Sequence, residues 1–530
     1  MSKKILILDN VDEVCAKKFT ERGFSVTQPN KLSVSELNEI IGDYHGLVVR
    51  SATTVTEDLL AHANHLEVIG RAGVGVDNID IPAATAKGIL VMNTPDGNTI
   101  STAEHTCGMI LSLARNIPEA VHRVKSGGWD RKTFMGTEVH GKKLGIIGLG
   151  KIGSEVARRM KMFGMDILAF DPFATHEQAS DLGIELNDLD TVLGNSDFLS
   201  VHTPLTEKTK DMISVKNADK LKKGIRIVNC ARGGIYKEED LVELVDSGIV
   251  AGIALDVYSQ EPPSKELYEI LKHPRIISTP HLGASTEEAQ EKVALQIAEQ
   301  MSDALESKNY KGSLNGKSIA LLSNKEVHPY LELAGKIGHM VGQIMPENEN
   351  KFSFEYHGVC SKYADILTDG ILKGMLSEFV SESVNLINAR HYAQKRGFNI
   401  SETTSSNGKL YKDLVTITLG DKADYWQICA AVFGPDDYRI VEINGYGIEL
   451  RLEGDILMYQ NRDKPGMLAS VAGALANKNI NIGALALGRG NKGTNAITAV
   501  VIDKRLTEEE IDVVRNLDGV KKVRYISLNE

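Results

Sequence analysis

A short apolar run that breaks into a glycine-rich turn and then into an amphipathic helix constrains this chain more than any other feature. Lys143-Leu144-Gly145-Ile146-Ile147 reads as a buried strand, Gly148-Leu149-Gly150-Lys151-Ile152-Gly153 follows at once, and Ile152, Val156, Met160 and Phe163 recur on one helical face. Strand, GxGxxG and helix form the dinucleotide fingerprint. Gly148 permits the tight turn, Gly150 lets backbone approach a pyrophosphate, Gly153 lets helix and strand pack closely, and the helix N-terminus offers N–H donors. The next strand, Met165 to Phe170, ends at Asp171, where a carboxylate accepts hydrogen bonds from an adenosine ribose. Asp171 would repel a 2′-phosphate and Pro172-Phe173 supply no cation, so NAD is favoured over NADP.

The chain has 530 residues, enough for three or four domains. Before the fingerprint, apolar runs at Ile5–Leu8, Leu47–Val49, Val68–Ile69 and Ile89–Val91 alternate with polar helical stretches, the rhythm of a parallel α/β sheet. A long helical segment is expected from about Thr102 to Lys125, buried through Ala103 to Ala114, and a second α/β run from Lys142 to about Pro280. A helix beginning near Glu287 carries Ala294, Ile297, Ala298, Met301 and Leu305 at steps of three and four and gives way to polar Lys308–Gly312, a domain boundary. Residues 313–452 read as a mixed α/β domain, with apolar runs at Ile319–Leu322 and Leu414–Thr418, a helical stretch around Phe379–Ala393 and a polar loop over 401–408. The last segment follows βαββαβ order, the ferredoxin-like pattern, with strands at Asp455–Gln460, Asn479–Leu487, Thr494–Ile502 and Val520–Leu528; Thr507 and Glu510 form a capping box.

Composition narrows the partners. Sixty Lys and Arg against 71 Asp and Glu leave a formal charge of −11, which disfavours nucleic acid and anionic membrane. The five cysteines (Cys15, Cys107, Cys230, Cys360, Cys429) are scattered and without a CxxC pair, so neither a disulfide framework nor a metal site is expected. The basic N-terminus runs into only four apolar residues and reads as a strand, and no run approaches the ~20 residues of a bilayer span. A reducing cytoplasm is expected.

Hydride transfer from an alcohol to NAD requires a base for the hydroxyl proton and a cation to anchor the substrate. Ile225–Asn229 ends in Cys230-Ala231-Arg232-Gly233-Gly234. Ile253–Leu255 ends in Asp256, followed by Glu261-Pro262-Pro263, and Ile276–Pro280 ends in His281. Ligands of open α/β sheets bind at the carboxyl ends of strands, so Arg232, Asp256, Glu261 and His281 can converge. Each alone is as readily a salt bridge or a turn residue; their joint placement behind the fingerprint favours catalysis.

Together with Asp256-Val257 and Pro280-His281-Leu282-Gly283-Ala284-Ser285-Thr286, these motifs resemble the D-isomer-specific 2-hydroxyacid dehydrogenases. Val49-Arg50-Ser51-Ala52-Thr53, Gly70-Arg71-Ala72-Gly73-Val74-Gly75-Val76-Asp77-Asn78 and the long C-terminal extension are more closely similar to the long-form members that act on 3-phosphoglycerate. The resemblance implies a doubly wound Rossmann-type cofactor domain (99–284) inserted in a flavodoxin-like substrate domain (1–98 plus 285–312), then an intervening domain (313–452) and a regulatory domain (453–530). It implies that His281 takes the C2 hydroxyl proton, that Glu261 orients the imidazole, and that Arg232 binds the substrate carboxylate. Asp256 would hold the nicotinamide amide; Thr203-Pro204, Ala231 and the Gly283-Ala284 backbone would line the cofactor beside Gly148, Gly150, Lys151, Ile152, Gly153 and Asp171. Arg50 and Arg71 would meet the phosphate end. Two crossings between domains invite hinge closure. Trp129-Asp130-Arg131-Lys132 resembles a segment that reaches a neighbouring subunit, implying a homo-oligomer, dimer or tetramer.

In the extension, Val384–Ala389, Arg396-Gly397 and Arg439–Gly445 resemble the family's intervening domain, associated there with a second anion site, although Arg390 stands where relatives often have proline. The βαββαβ tail resembles an ACT domain, which implies an amino-acid effector, L-serine, held by Asn461, Asp463 and Asn481. The expectation is NAD-dependent oxidation of 3-phosphoglycerate to 3-phosphohydroxypyruvate, the opening step of phosphorylated L-serine synthesis. Two alternatives remain open: a dehydrogenase of another small D-2-hydroxy acid, and an NAD-sensing binding protein.

Overall fold

The computed structural model describes residues 2–346, 348–407, 411–420, 425–490 and 495–528. Its first sheet contains β1 (Lys4–Ile7), β2 (Ser25–Thr27), β3 (Gly46–Val49), β4 (Val68–Arg71) and β5 (Leu90–Asn93), all parallel, in the order β2-β1-β3-β4-β5. This is the flavodoxin-like order, whose crevice opens between β1 and β3. Alternate residues face opposite sides of each strand, so Ile5, Ile7 and Val48 pack under the helix Glu287–Leu305 through Ile297 and Met301, while Leu6, Leu47 and Val49 pack on the other face. Thr286 caps that helix with its side chain, accepting from the Ala289 N–H.

The chain leaves this sheet at Asn98 and returns at Glu287. Between lie β6 (Lys143–Ile147), β7 (Asp166–Phe170), β8 (Glu185–Leu186), β9 (Phe198–Val201), β10 (Ile225–Asn229), β11 (Val250–Leu255) and β12 (Ile276–Ser278). Their order, β12-β11-β10-β9-β6-β7-β8, is the doubly wound arrangement with its reversal between β6 and β9. The helix Thr99–Arg115 buries Ala103, Ile110 and Leu113 against Leu144, Ile146 and Val228, so the segment crossing between sheets is anchored in the second one.

A third sheet, order β14-β13-β15-β16-β17-β18, is built from β13 (Lys351–His357), β14 (Asn399–Ser405), β15 (Leu414–Leu419), β16 (Trp426–Gly434), β17 (Asp437–Ile443) and β18 (Tyr446–Arg451). The fourth, order β20-β21-β19-β22, consists of β19 (Asp455–Arg462), β20 (Ile482–Arg489), β21 (Asn495–Ile502) and β22 (Val520–Ser527), with helices Met467–Ala476 and Glu508–Arg515 completing βαββαβ. Strand alternation divides its side chains: Leu457, Tyr459 and Val500 pack on its own helices, whereas Ile456, Met458 and Ala499 join the core of the third sheet. Gln343 reinforces that junction, donating to the Ser527 carbonyl at 2.9 Å and accepting from the Ser527 N–H at 2.8 Å.

Several local expectations change. The segment from Thr102 to Lys125 is two helices, broken at Asn116, whose φ of 53° is left-handed; the second, Ile117–Lys125, buries none of its residues. The stretch Phe379–Ala393 is helical only from Ala389, because Asn385 Oδ1 accepts from the Ile387 and Asn388 N–H groups and Asn388 Oδ1 from that of Asn385, local bonds that compete with a helix. The polar loop 401–408 is largely β14, an edge strand whose outward residues explain its polarity. Gly408 and Thr494, ends of an expected loop and strand, lie outside the described residues. Ile319–Leu322 forms part of a short 3₁₀ helix, and the exposed, polar edge strand β2 carried no apolar signal.

Candidate active site

The fingerprint turn follows β6 at the reversal point of its sheet. Gly148 has φ +95°, and a Cβ there would lie 2.6 Å from the His202 carbonyl oxygen after β9; a Cβ on Gly153 would lie 2.0 Å from the Gly148 carbonyl oxygen. Gly150 faces open space and begins the helix Lys151–Met162 with no side chain capping its N–H groups. Asp171 accepts from the Leu149 N–H through Oδ2 and from the Phe173 N–H through Oδ1, both at 2.8 Å, which ties the end of β7 to the turn. Beside Gly148, the buried Thr203 Oγ1 has no hydrogen-bond partner. Open backbone, uncapped N–H groups, a terminal carboxylate and an unspent hydroxyl fit a dinucleotide. Ile152 packs inward, Pro204 is exposed, and the Lys151 ammonium meets the Asp96 carboxylate across the domain crevice.

The catalytic candidates follow neighbouring strands. His281, after β12, sits at φ 53° with Nδ1 2.6 Å from Glu261 Oε2, and Glu261, after β11, accepts from the Tyr258 N–H through Oε1 at 3.1 Å. Burial raises the Glu261 pKa, yet the hydrogen bond and charge of His281 outweigh it and hold the carboxyl below its ordinary value. A carboxylate only accepts, so Nδ1 carries the hydrogen and Nε2 is left as a base.

Opposite stand Arg50, after β3, and Arg71, at the end of β4. They line, with Ser51, Gly73, Tyr258, Glu261, Pro262, His281, Ala284 and Gln290, one cavity of about 440 Å3. Burial pushes the Arg71 guanidinium down to about 10, and the charges of Arg232 and Arg50 add to the shift. Its Nε is buried without a partner. Burial likewise lowers Arg50. Two guanidiniums therefore share a confined cavity, within reach of the charge of a third, Arg232, inside an acidic chain.

Arg232 and Asp256 make contacts within the chain that their sequence positions did not announce. Arg232 is not among the residues lining that cavity: Nε meets Asp77 Oδ2 at 3.2 Å, and its backbone is fixed by Asn229, which donates to the Arg232 carbonyl at 2.8 Å. Neighbouring Gly233 packs so close to Tyr258 that a Cβ would lie 1.9 Å from its carbonyl carbon. Asp256, expected to hold a nicotinamide amide, is fully buried, and Oδ1 accepts from Thr279 Oγ1 at 2.6 Å and the Leu282 N–H at 2.7 Å while Oδ2 accepts from the Gly283 N–H at 2.9 Å. Both carboxylate oxygens therefore tie Asp256 to the loop that carries His281. Ala231 is half-buried at the end of β10, Gly283 is buried beneath that loop, and Ala284 reaches the cavity.

Sequence reasoning missed Asp9, whose carboxylate after β1 accepts from the N–H groups of Arg50 and Thr53 at 2.8 and 3.0 Å. Its place at a strand's carboxyl end beside the β1/β3 crevice was the available signal. Asp77 and Thr279 were read only as parts of longer motifs and given no role of their own.

The expected effector residues do not converge within one chain. Asn461 turns inward, accepting from Thr498 at 3.3 Å and donating to the Arg462 carbonyl at 2.8 Å; Asp463 pairs with Arg489 at 3.2 Å. Asn481 precedes β20 and donates to Asp503 at 2.6 Å. The antiparallel register sets Arg489 opposite Ala496 and Ile482 opposite Ile502, so Asn481 lies at the other end of the sheet, roughly 23 Å from Asp463 by strand rise.

The chain is similar to known proteins over most of its length. Residues 107–283 match the family described as D-isomer specific 2-hydroxyacid dehydrogenase, NAD binding domain, and residues 326–444 match the D-3-phosphoglycerate dehydrogenase intervening domain. A D-3-phosphoglycerate dehydrogenase of Bacillus subtilis is 39% identical over 527 residues, covering 99% of each chain. One of Methanocaldococcus jannaschii is 38% identical over 527 residues, 99% of this chain and 100% of its own. A crystal structure of D-lactate dehydrogenase from Aquifex aeolicus, complexed with NAD and lactic acid, superposes with a TM-score of 0.51 at 26% identity, over 57% of this chain and 95% of that one. This chain, with an NAD-binding domain and an intervening domain of matching kind, belongs to the D-3-phosphoglycerate dehydrogenases of the D-isomer-specific 2-hydroxyacid dehydrogenase family.

Proposed function

We propose that this chain oxidises 3-phosphoglycerate to 3-phosphohydroxypyruvate with NAD, the entry into phosphorylated serine synthesis. The carrying observation is one cavity with the His281–Glu261 pair on one wall and Arg50 and Arg71 on the other, matching a substrate with an alcohol at one end and a phosphate at the other. When bound, NAD supplies the hydride acceptor. Gly148, Gly150 and the first turn of the helix Lys151–Met162 hold its pyrophosphate, Asp171 its ribose, and Thr203 an adjacent polar group. His281 Nε2 takes the C2 hydroxyl proton, and Glu261 keeps the ring oriented and stabilises the imidazolium that forms. Arg232, swinging from Asp77, binds the substrate carboxylate, while Arg50 and Arg71 bind the phosphate.

The domain division at 98/99, 284/285, 312/313 and 452/453 follows the same reading, with closure across the Asn98 and Gly283–Glu287 crossings shielding the cavity from water. Exposed Ile117, Val121 and Val124 on a helix that buries none of its residues, with Trp129 78% exposed nearby, favour a homo-oligomer built on that face. Since Asp463 and Asn481 lie at opposite ends of their sheet, an L-serine site in the ACT-like domain would combine Asp463 of one chain with the partner's Asn481. NADH formation from 3-phosphoglycerate, D-glycerate and D-lactate, with and without L-serine, tests this function. Faster turnover of the unphosphorylated acids would reject the substrate assignment, and an unchanged rate with L-serine would reject the effector.

A further inference from the structure

The loop that carries the base is held from an unexpected side. His105 lies on the second turn of the helix Thr99–Arg115, the element that crosses from the first sheet to the second. Its Nε2 is 3.2 Å from Asp256 Oδ1 and 3.2 Å from Thr279 Oγ1, and Thr279 donates to the same Oδ1, so the three groups close a triangle. The carboxylate accepts only, so His105 Nε2 carries the donated hydrogen. One turn earlier, Thr102 Oγ1 donates to the Gly283 carbonyl at 3.1 Å. The helix thus grips both ends of the 279–283 loop.

The grip matters because His281 adopts a left-handed φ of 53°, costly for a non-glycine residue and maintained only where surrounding bonds over-determine it. The bonds that do so are the Leu282 and Gly283 N–H donations to Asp256, and Asp256 is buried with His105 as its side-chain partner from the crossing helix. We infer that His105 is a positioning residue for the dehydrogenase reaction: through Asp256 and Thr279 it sets the backbone pose of His281 and couples that pose to the interdomain helix. Cys230 Sγ lies in the same cluster, all within 4.8 Å, but burial pushes its thiol up to about 12 and the Asp256 oxygens already accept N–H and O–H donors, so the group is a hydrogen-bond clamp and not a metal site.

The inference rests on the dehydrogenase reading, and its test keeps the two apart. With 3-phosphoglycerate and NAD, His105→Ala is expected to lower kcat about tenfold to a hundredfold, the cost of a misplaced catalytic group, with both KM values within about threefold and NADH binding by fluorescence unchanged. His105→Gln, which keeps an N–H donor, restores kcat to within about threefold of wild type. In an Asp256→Asn background, adding His105→Ala costs nothing further, because the path it acts through is already broken. A kcat for His105→Ala within twofold of wild type overturns the inference, as does a loss that Gln fails to rescue or that is undiminished in the Asp256→Asn background. A wild-type enzyme that reduces no NAD with any D-2-hydroxy acid overturns the dehydrogenase reading itself.

Discussion

His281 Nδ1 stands 2.6 Å from Glu261 Oε2, the two residues rising from the carboxyl ends of adjacent strands β12 and β11. Parallel strands place those ends side by side, so a pair 20 positions apart in sequence meets without a long connection. Burial alone would raise the Glu261 pKa, and the imidazole reverses that. The carboxylate therefore stays ionised through the working pH range and keeps the ring in the tautomer whose Nε2 accepts a proton.

Glu261→Gln retains size and a hydrogen-bond acceptor but not the charge. The expected loss in kcat is about a hundredfold, within the range for positioned acid–base groups, with the KM for NAD within about twofold. Steady-state kinetics check it; a kcat loss below threefold would show that the imidazole needs no charged partner.

Arg71 is crowded by Arg232 and Arg50 and has a buried Nε without a partner. A dianionic phosphate would relieve both conditions. Arg71→Met is expected to raise the KM for 3-phosphoglycerate about tenfold to a hundredfold, the value of a charge-assisted hydrogen-bonded pair, while D-glycerate turnover changes by less than about threefold. Equal losses on both substrates would place the phosphate elsewhere.

The fingerprint turn, the polar groups just past the strand ends and the two parallel sheets were legible because each rests on local chemistry: glycine at φ +95°, apolar runs four or five residues long, polar side chains just past them. The loop contacts of Asp256 were not legible, for the opposite reason. A carboxylate after a strand looks the same in sequence whether it faces a ligand or folds back onto Leu282 and Gly283, and only the loop's path decides. His105 was invisible because its partners lie more than 150 positions away on a different element, as the His105–Thr279 pair does at a separation of 174. The effector residues were grouped by motif, whereas antiparallel register separates them along β20.

His202 supplies a pH signature. Burial lowers its imidazole from 6.5 to about 4 in the folded chain. Between those values the unfolded chain binds a proton that the folded chain refuses, so this contribution is fully present above about pH 6.5 and is lost as pH falls toward 4, by about 3 kcal/mol over the whole interval. His202→Asn is expected to flatten the decline in stability between pH 6.5 and 4 by about 2 kcal/mol relative to wild type, read from denaturant unfolding at several pH values. Parallel pH dependences in the two proteins would contradict the buried neutral imidazole.

One substitution separates the turn-fixing bonds of Asp171 from the cofactor role proposed for it. Its oxygens accept from the Leu149 and Phe173 N–H groups at 2.8 Å, which fixes the fingerprint turn, and in the proposed function its charge meets the adenosine ribose. Asp171→Asn keeps one carbonyl acceptor for the turn but removes the charge that repels a 2′-phosphate. The KM for NAD is expected to rise about tenfold, and the preference for NAD over NADP in kcat/KM to fall by at least about tenfold, one charge-assisted hydrogen bond being lost to NAD and one repulsion removed from NADP. Asp171→Ala, which also abandons the turn, is expected to raise the NAD KM further and to lower the melting temperature. If Asp171→Asn weakens NAD and NADP equally, the carboxylate serves the turn alone and cofactor choice is made elsewhere in the crevice between β6 and β9.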